Sequence, residues 1–230
     1  MEHILEIERQ ESELYSLFET IYDGNSILFL GAGASIGEDG KRYLSKELIE
    51  YYEEYLGYAL DETNLTKFVD ILSADPDFNR SHFDTEVENM LRKYKVTEAH
   101  KTMASIPWRE IITTNYDLLV EQAYDSIKNS SNHLFDLIPI RSKQEYNYRN
   151  SADEIKFVKI NGCISDKGKY PLAFSSDDFK SLGGYYKKVL NDLKNLSDKI
   201  SLISTGYSFS DEFGANLLQK YDSCNLVEIQ

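Results

Sequence analysis

An α/β fold built on a parallel sheet is predicted by three features of the sequence. Short apolar segments of strand length alternate with longer segments of helical spacing. The first apolar segment runs straight into a glycine-rich turn, so that residues 26–35 read SILFLGAGAS. Three more strand segments end in loops of small or polar residues, TTNYD, NGCIS and GYSFSD. In a parallel sheet these four loops lie along one carboxyl edge, where ligands of such folds sit.

Each element has its own local justification. Residues 3–23 form an amphipathic helix, with Ile4, Leu5, Leu14, Leu17, Phe18 and Ile21 toward one side. Residues 26–30 are a short buried strand. The segment KRYLSKELIEYYEEYL is a helix, and TNLTKFVDILSA is another, capped by Thr63 or Asn64 and stopped by Asp75-Pro76-Asp77. Residues 81–105 carry one or two more helices. The block of about 40–105 has little strand character and is expected to be a helical insertion. Residues 110–114 are a second buried strand, followed by the helix LLVEQAYDSI and a polar surface loop at 128–133. LFDLIPI and IKFVKI are strands, 177–196 a helix, 200–205 a strand, 206–211 a loop leading to a helix that ends near Tyr221, and 225–229 the last strand. The expected whole is one domain over 1–230, a Rossmann-like parallel sheet with a helical insertion and no zinc module.

Composition narrows the class. The 230 residues are 41% hydrophobic, 28% charged and 13% aromatic, enough for a sizeable core. The 17 tyrosines are scattered, as packing residues with wet hydroxyls are. A net charge of −14 repels phosphate backbones, so direct nucleic-acid binding by this domain is not expected. Cys163 and Cys224 are the only cysteines, and no C-x-x-C pair exists, which excludes a four-cysteine zinc module. Two thiols in such a chain suggest a reducing compartment. The N-terminus is acidic and helical, unlike a signal peptide. No apolar run approaches the roughly 18 residues that span a bilayer. A cytoplasmic protein without membrane contact is expected.

The loops offer specific chemistry. Gly31 and Gly33 relieve steric limits, so backbone N–H groups can face a pyrophosphate, and Ser35 adds a hydroxyl. The pattern departs from the dinucleotide fingerprint, which needs Gly or Ala where Ile36 stands, and no Gly-Lys-Ser/Thr follows. A plain tight turn explains the glycines equally well. Glu50 falls at a ribose-binding distance, but its helix is full of acids. Asn115 and Asp117 together can grip an amide or a ribose; alternatively, Thr114 or Asn115 caps the following helix. In GYSFSD, Ser208 can meet a ligand, while Ser210 or Asp211 serves as a helix cap.

Taken in order, GAGAS, TTNYD, a K-x-H-G-like segment and GYSFSD resemble the sirtuin-like (silent information regulator) family, and within it the zinc-free branch of bacterial anti-phage defence proteins. The likeness runs from about residue 24 to 230. It implies an NAD+ glycohydrolase that depletes NAD+ when a partner or attached domain senses infection, with NAD+ as substrate and no metal. By motif, Gly31, Ala32, Gly33 and Ser35 match the pyrophosphate loop. Thr114, Asn115 and Asp117 match the loop around the nicotinamide ribose and carboxamide. Gly206 and Ser208 match the loop that meets the adenosine ribose. Asn115, Asp117 and position 161 match the catalytic set.

One departure is serious. The family's K-[IL]-H-G is here Lys159-Ile160-Asn161-Gly162, and the histidine expected to act as base is an asparagine. Asn161 can hydrogen-bond a ribose but cannot take up a proton near neutral pH. Either Asn161 is an introduced substitution that traps the dinucleotide intact, or it is natural and marks a sensor without turnover. His100 reads as a packed or capping residue; His3, His82 and His133 sit in polar surroundings; Cys163 reads as a small core residue. Arg42 is a possible phosphate contact but more simply a solvated helix start. Two readings follow: an impaired NAD+ glycohydrolase yielding ADP-ribose or a cyclic product, or a binding module that passes NAD+ or ADP-ribose occupancy to a partner domain. A protein deacylase would need a zinc-braced groove and a base. The end one residue past a strand suggests the N-terminal part of a longer protein, restrained by self-association, a C-terminal sensor domain or a separate activator.

Overall fold

A computed structural model describes residues 14–36, 45–130, 134–197, 199–208, 213 and 226–229. Six strands form one sheet: β1 (Ser26–Leu30), β2 (Glu110–Thr113), β3 (Asp136–Ile140), β4 (Glu154–Lys159), β5 (Ser201–Thr205) and β6 (Leu226–Ile229). Their order is β3-β4-β2-β1-β5-β6, and every neighbouring pair is parallel. The chain builds outward from β1 on one side through β4, then returns to its other side with β5. That reversal at β1 is the switch point at which such sheets open a crevice. Pro139, which has no N–H to give a ladder, sits on the edge strand β3.

Strand periodicity sorts the core into two layers. Ile27, Phe29, Ile112, Val158 and Leu202 face helix α7 (Ser176–Lys194) through its Tyr185, Val189 and Leu193. Leu28, Leu30, Ile111, Phe157 and Ile203 face the opposite way, toward Val120, Ala123 and Ile127 of α6 (Leu119–Ile127) and Ala104 of α5 (Glu98–Ala104). Of the predicted N-terminal helix, α1, residues 14–22 are described; Leu17 and Ile21 lean on this second layer, while Tyr15 and Tyr22 face solvent.

The expected helical insertion is present. Helices α2 (Ser45–Leu56), α3 (Leu65–Ser73) and α4 (Arg80–Leu91) gather Leu48, Tyr52, Phe68, Val69 and Phe83 into a third core that also holds Ile164, Leu172 and Phe174. Asn64 caps α3 by accepting from Lys67 N–H at 3.1 Å. Charge fastens the insertion to the main layer. Arg80 pairs with Asp84 and Asp178, each at 2.8 Å, and donates to the Leu172 carbonyl at 2.5 Å. Asp70 accepts from the Ser176 N–H at 2.8 Å and from its hydroxyl. Burial alone would raise the Asp178 carboxyl, but the N–H donors of Ser175 and Phe174 together with Arg80 hold it below the usual range. The last helix before β2, α5, lies against α6 on the sheet.

No helix among the described residues is long and apolar enough to cross a membrane. The predicted helix ending near Tyr221 lies outside the described residues apart from Phe213, which is helical and packs on Phe29. Arg42, Cys224, His3 and His133 also lie outside them.

Candidate functional site

The turn after β1 is a short 3-10 helix, Ala32–Ser35. It rests directly on the loop after β5. Gly31 N–H donates to the Thr205 carbonyl at 3.1 Å, and Gly33 N–H donates to the Gly206 carbonyl at 2.8 Å. Ala34 N–H turns inward to the Gly31 carbonyl at 3.0 Å. A Cβ at position 31 would lie 2.4 Å from the Gly206 carbonyl oxygen, and one at 33 would lie 2.7 Å from its Cα. Close packing of two loops therefore demands these glycines, and the N–H groups of 31, 33 and 34 are directed at protein. Gly206 itself has φ +66° and lies against Ala34, where a Cβ would come within 2.2 Å of the amide nitrogen. Ala32 and Ser208 are exposed, and Ser208 is not among the residues that line the crevice described below.

From this turn Ser35 points at the loop after β2. Its hydroxyl donates to Asp117 Oδ2 at 2.6 Å and accepts from Asn115 Nδ2 at 2.9 Å. Asn115 Nδ2 also donates to the Gly31 carbonyl at 2.8 Å. Asn115 is thus a cross-brace between two loops; neither it nor Thr114 caps α6. Asp117 serves that end instead, with Oδ1 accepting from Leu119 N–H at 2.9 Å. Ser35 and Asp117 are buried.

Asn161 follows β4 and faces the same loop. Its Nδ2 donates to the Thr114 carbonyl at 3.2 Å, and its Oδ1 accepts from the hydroxyl of Tyr186 on α7. Its own carbonyl holds Ala173 N–H at 2.9 Å, so Asn161 fixes the segment leading to α7 as well. Tyr116 closes the ring by donating to the Ala173 carbonyl at 2.5 Å while its ring lies tilted at 34° against Phe174, with centroids 4.6 Å apart.

These side chains line a crevice of about 300 Å³ between the sheet edge and the insertion. Ser35, Thr114, Asn115, Asp117 and Asn161 form its polar floor; Ala32, Leu48, Leu65, Val87, Tyr116, Phe174 and Phe179 also line it. Asp117 is the one charged side chain among the described lining residues. A second cavity of about 290 Å³ lies behind Ser35, Asn115 and Asp117, bounded by His100, Met103, Val120, Phe157 and Lys159. The loops after β1, β2 and β4 therefore meet as the sequence predicts. Gly206 joins them through backbone packing.

Sequence reasoning missed two supports. Lys159, 1% exposed, donates to the Asp117 carbonyl and pairs with Glu121 at 3.3 Å. A lysine between Val158 and Ile160, at the end of the strand, was the available signal. Tyr186 left no signal, because α7 brings it to Asn161 from 25 residues away. His100 is the packed, capping residue its position suggests. His82 packs its ring on Tyr55 at 5.0 Å, away from the crevice. No cluster of metal-ligating side chains occurs among the described residues, and Cys163 is fully buried.

A parallel sheet whose loops after β1, β2 and β4 enclose a polar crevice at the switch point defines a Rossmann-like α/β domain, with the crevice where ligands of such folds sit. The sequence profile of the SIR2-like domain family matches residues 109–224, half of the chain, and the chain belongs to that family. It is also similar to the NAD(+) hydrolase ThsA of Bacillus cereus (strain MSX-D12), with 25% identity over 198 residues, 83% of this chain and 38% of the relative. The chain thus spans well under half of that relative's length.

Proposed function

We propose that the crevice binds the nicotinamide–ribose end of NAD+ and cleaves its N-glycosidic bond, giving nicotinamide and ADP-ribose or a cyclic product, in anti-phage defence by NAD+ depletion. The convergence of Ser35, Asn115, Asp117 and Asn161 on one crevice carries this proposal. The oxidised nicotinamide ring is a cation. A pocket with one carboxylate, aromatic walls and no described cation suits it. Similarity to a protein named as an NAD(+) hydrolase supports the same chemistry.

In the reaction the C1′–N bond breaks and its electron pair moves to the ring nitrogen. The ribose carbon becomes oxocarbenium-like, and water adds to it with loss of a proton. Asn115 and Asp117 orient the carboxamide and the water. Asn161 meets the ribose hydroxyls. An asparagine supplies no general base, a contribution on the order of 10²–10⁴ in rate, so turnover by this sequence is slow.

The bonds of Asn161 favour a second reading. Its oxygen accepts from Tyr186 and one N–H is given to Thr114, so it offers a ligand its second N–H and one remaining lone pair, and no group that takes up a proton. Such a residue binds without abstracting a proton, as a sensor of NAD+ or ADP-ribose coupled to a partner domain requires. Self-association, a C-terminal sensor domain or a separate activator would restrain either activity, in keeping with the share of the longer relative that this chain spans.

Nicotinamide and ADP-ribose released from NAD+ by the parent and by Asn161→His, separated chromatographically, test the proposal. Cleavage that rises on restoring histidine supports the hydrolase. Binding of NAD+ without cleavage in either form supports the sensor. Absence of NAD+ binding in both rules out both readings.

A further inference from the structure

His100 reaches the glycine turn from behind. Thr97 caps α5, and His100 completes a reciprocal box at its third position: Thr97 N–H donates to Nδ1 at 3.0 Å, and Thr97 Oγ1 accepts from His100 N–H at 3.4 Å. The other ring nitrogen, Nε2, lies 2.8 Å from the Ala34 carbonyl oxygen, 66 residues earlier in the chain. The amide N–H of Thr97 only donates and the carbonyl of Ala34 only accepts, while the Thr97 hydroxyl, 2.8 Å from Nδ1, can turn to donate to it as well. Nδ1 is therefore the acceptor and Nε2 carries the proton. Both ring nitrogens are thus engaged. The ring lies on the second cavity, with Ser35, Asn115 and Asp117 between it and the crevice.

We infer that His100 is a positioning residue: its Nε2–H bond to the Ala34 carbonyl holds the turn that aims Ser35 at Asn115 and Asp117. It is not a replacement for the missing base, because its one acceptor nitrogen is taken by Thr97 and faces away from the crevice. Gly33 and Gly31 tie the front of the same turn to the loop after β5. His100 ties its back to α5. Its effect on ligand rests on the proposed NAD+ site; its hold on the turn does not.

Capping and anchoring can be separated. Helix α7 uses the same box with a short side chain, as Asp178 accepts from Ser175 N–H at 2.9 Å. His100→Asn keeps an acceptor at that level for Thr97 and is too short to reach Ala34. His100→Gln supplies an acceptor and also a donor at the reach of Nε2. Three measurements are made on parent, His100→Asn and His100→Gln in the whole protein: melting temperature, ADP-ribose affinity by calorimetry, and amide hydrogen exchange over residues 31–36. Expected for His100→Asn is a folded protein with faster exchange in that segment and affinity lower by about two- to tenfold, the span of one neutral hydrogen bond. His100→Gln is expected to recover most of both losses. The inference is overturned if folded His100→Asn exchanges like the parent over 31–36, or if Asn and Gln act alike. If the parent binds no ADP-ribose or NAD+, the proposed function fails, and the exchange comparison still decides the role of His100.

Discussion

The hydroxyl of Tyr186 donates to Oδ1 of Asn161, while Nδ2 of the same amide donates to the Thr114 carbonyl at 3.2 Å. Two partners on opposite ends of the amide hold it in one orientation, with its second N–H left for a ligand. Tyr186→Phe removes the donor and keeps the ring, which packs on Phe213 at 5.3 Å and Phe179 at 6.5 Å. The expected result is an almost unchanged melting temperature and ADP-ribose affinity weaker by about two- to tenfold. In an Asn161→Ala background the same change should have no effect, because the two residues act as a pair. Additive losses in that cycle would show that Tyr186 acts elsewhere.

Asp117 has two separable duties. One oxygen accepts from Leu119 N–H at the start of α6 and the other from Ser35. Asp117→Asn keeps an acceptor for Leu119 and loses the charge. Its stability should stay within about 1 kcal/mol of the parent. Cleavage of NAD+ should nevertheless be lost, even where Asn161→His has raised it. Asp117→Ala strips both buried partners and should cost about 2–3 kcal/mol, a fall in melting temperature of roughly 4–12 °C for a domain of this size. Denaturation scans beside a nicotinamide-release assay separate the two duties. Active Asp117→Asn would remove Asp117 from the chemistry.

Gly206 is required by conformation and space together. At φ +66° an alanine costs about 1–2 kcal/mol, and its Cβ would lie 2.2 Å from Ala34 N, forcing the two loops apart. Gly206→Ala should lower stability by about 3 kcal/mol or more and abolish ADP-ribose binding, both read in one thermal-shift titration. Gly183→Ala in α7, where an added Cβ meets nothing within 4 Å, is the matched control and should be neutral or slightly stabilising. Equal effects of the two would refute the close-packed-loop account.

Much of this fold was legible because its signals are local. All six strand segments read as short apolar runs, and of Thr63 and Asn64, the two caps the sequence offered for α3, the fold uses Asn64. The meeting of the loops after β1, β2 and β4 followed from parallel topology alone. What each residue does there was less legible. Glycines after a strand read equally as a backbone cradle for phosphate or as a plain tight turn, and in the fold Gly31 and Gly33 N–H groups bond to residues 205 and 206, more than 170 positions away. Asn115 read as a cap or a ligand group and is a brace between loops. Tyr186 and His100 reach the site through tertiary placement of helices, which no periodicity reports. Asn161 is the converse case: sequence marked the position, and only the fold shows that Tyr186 and Thr114 hold its amide.

Glu110 gives the domain a pH dependence away from the site. It opens β2 at the opposite edge of the sheet, with Oε1 buried and without a hydrogen bond. Burial pushes its carboxyl up to about 7; Lys156, 3.9 Å away, offsets part of this and Asp192 adds to it. The folded value lies above the ordinary 4.5, so the folded state binds more protons between the two values. Stability contributed here is therefore full below about pH 4.5, declines as pH rises to about 7, and is flat beyond. Glu110→Gln removes the buried charge while keeping the shape. It should be more stable than the parent at pH 8 by about 1–2 kcal/mol, with the advantage gone at pH 5, because the parent is then largely protonated. Urea unfolding of both proteins at the two pH values measures this. An equal difference at both would mean that Glu110 remains ionised in the folded state throughout, with Lys156 outweighing burial.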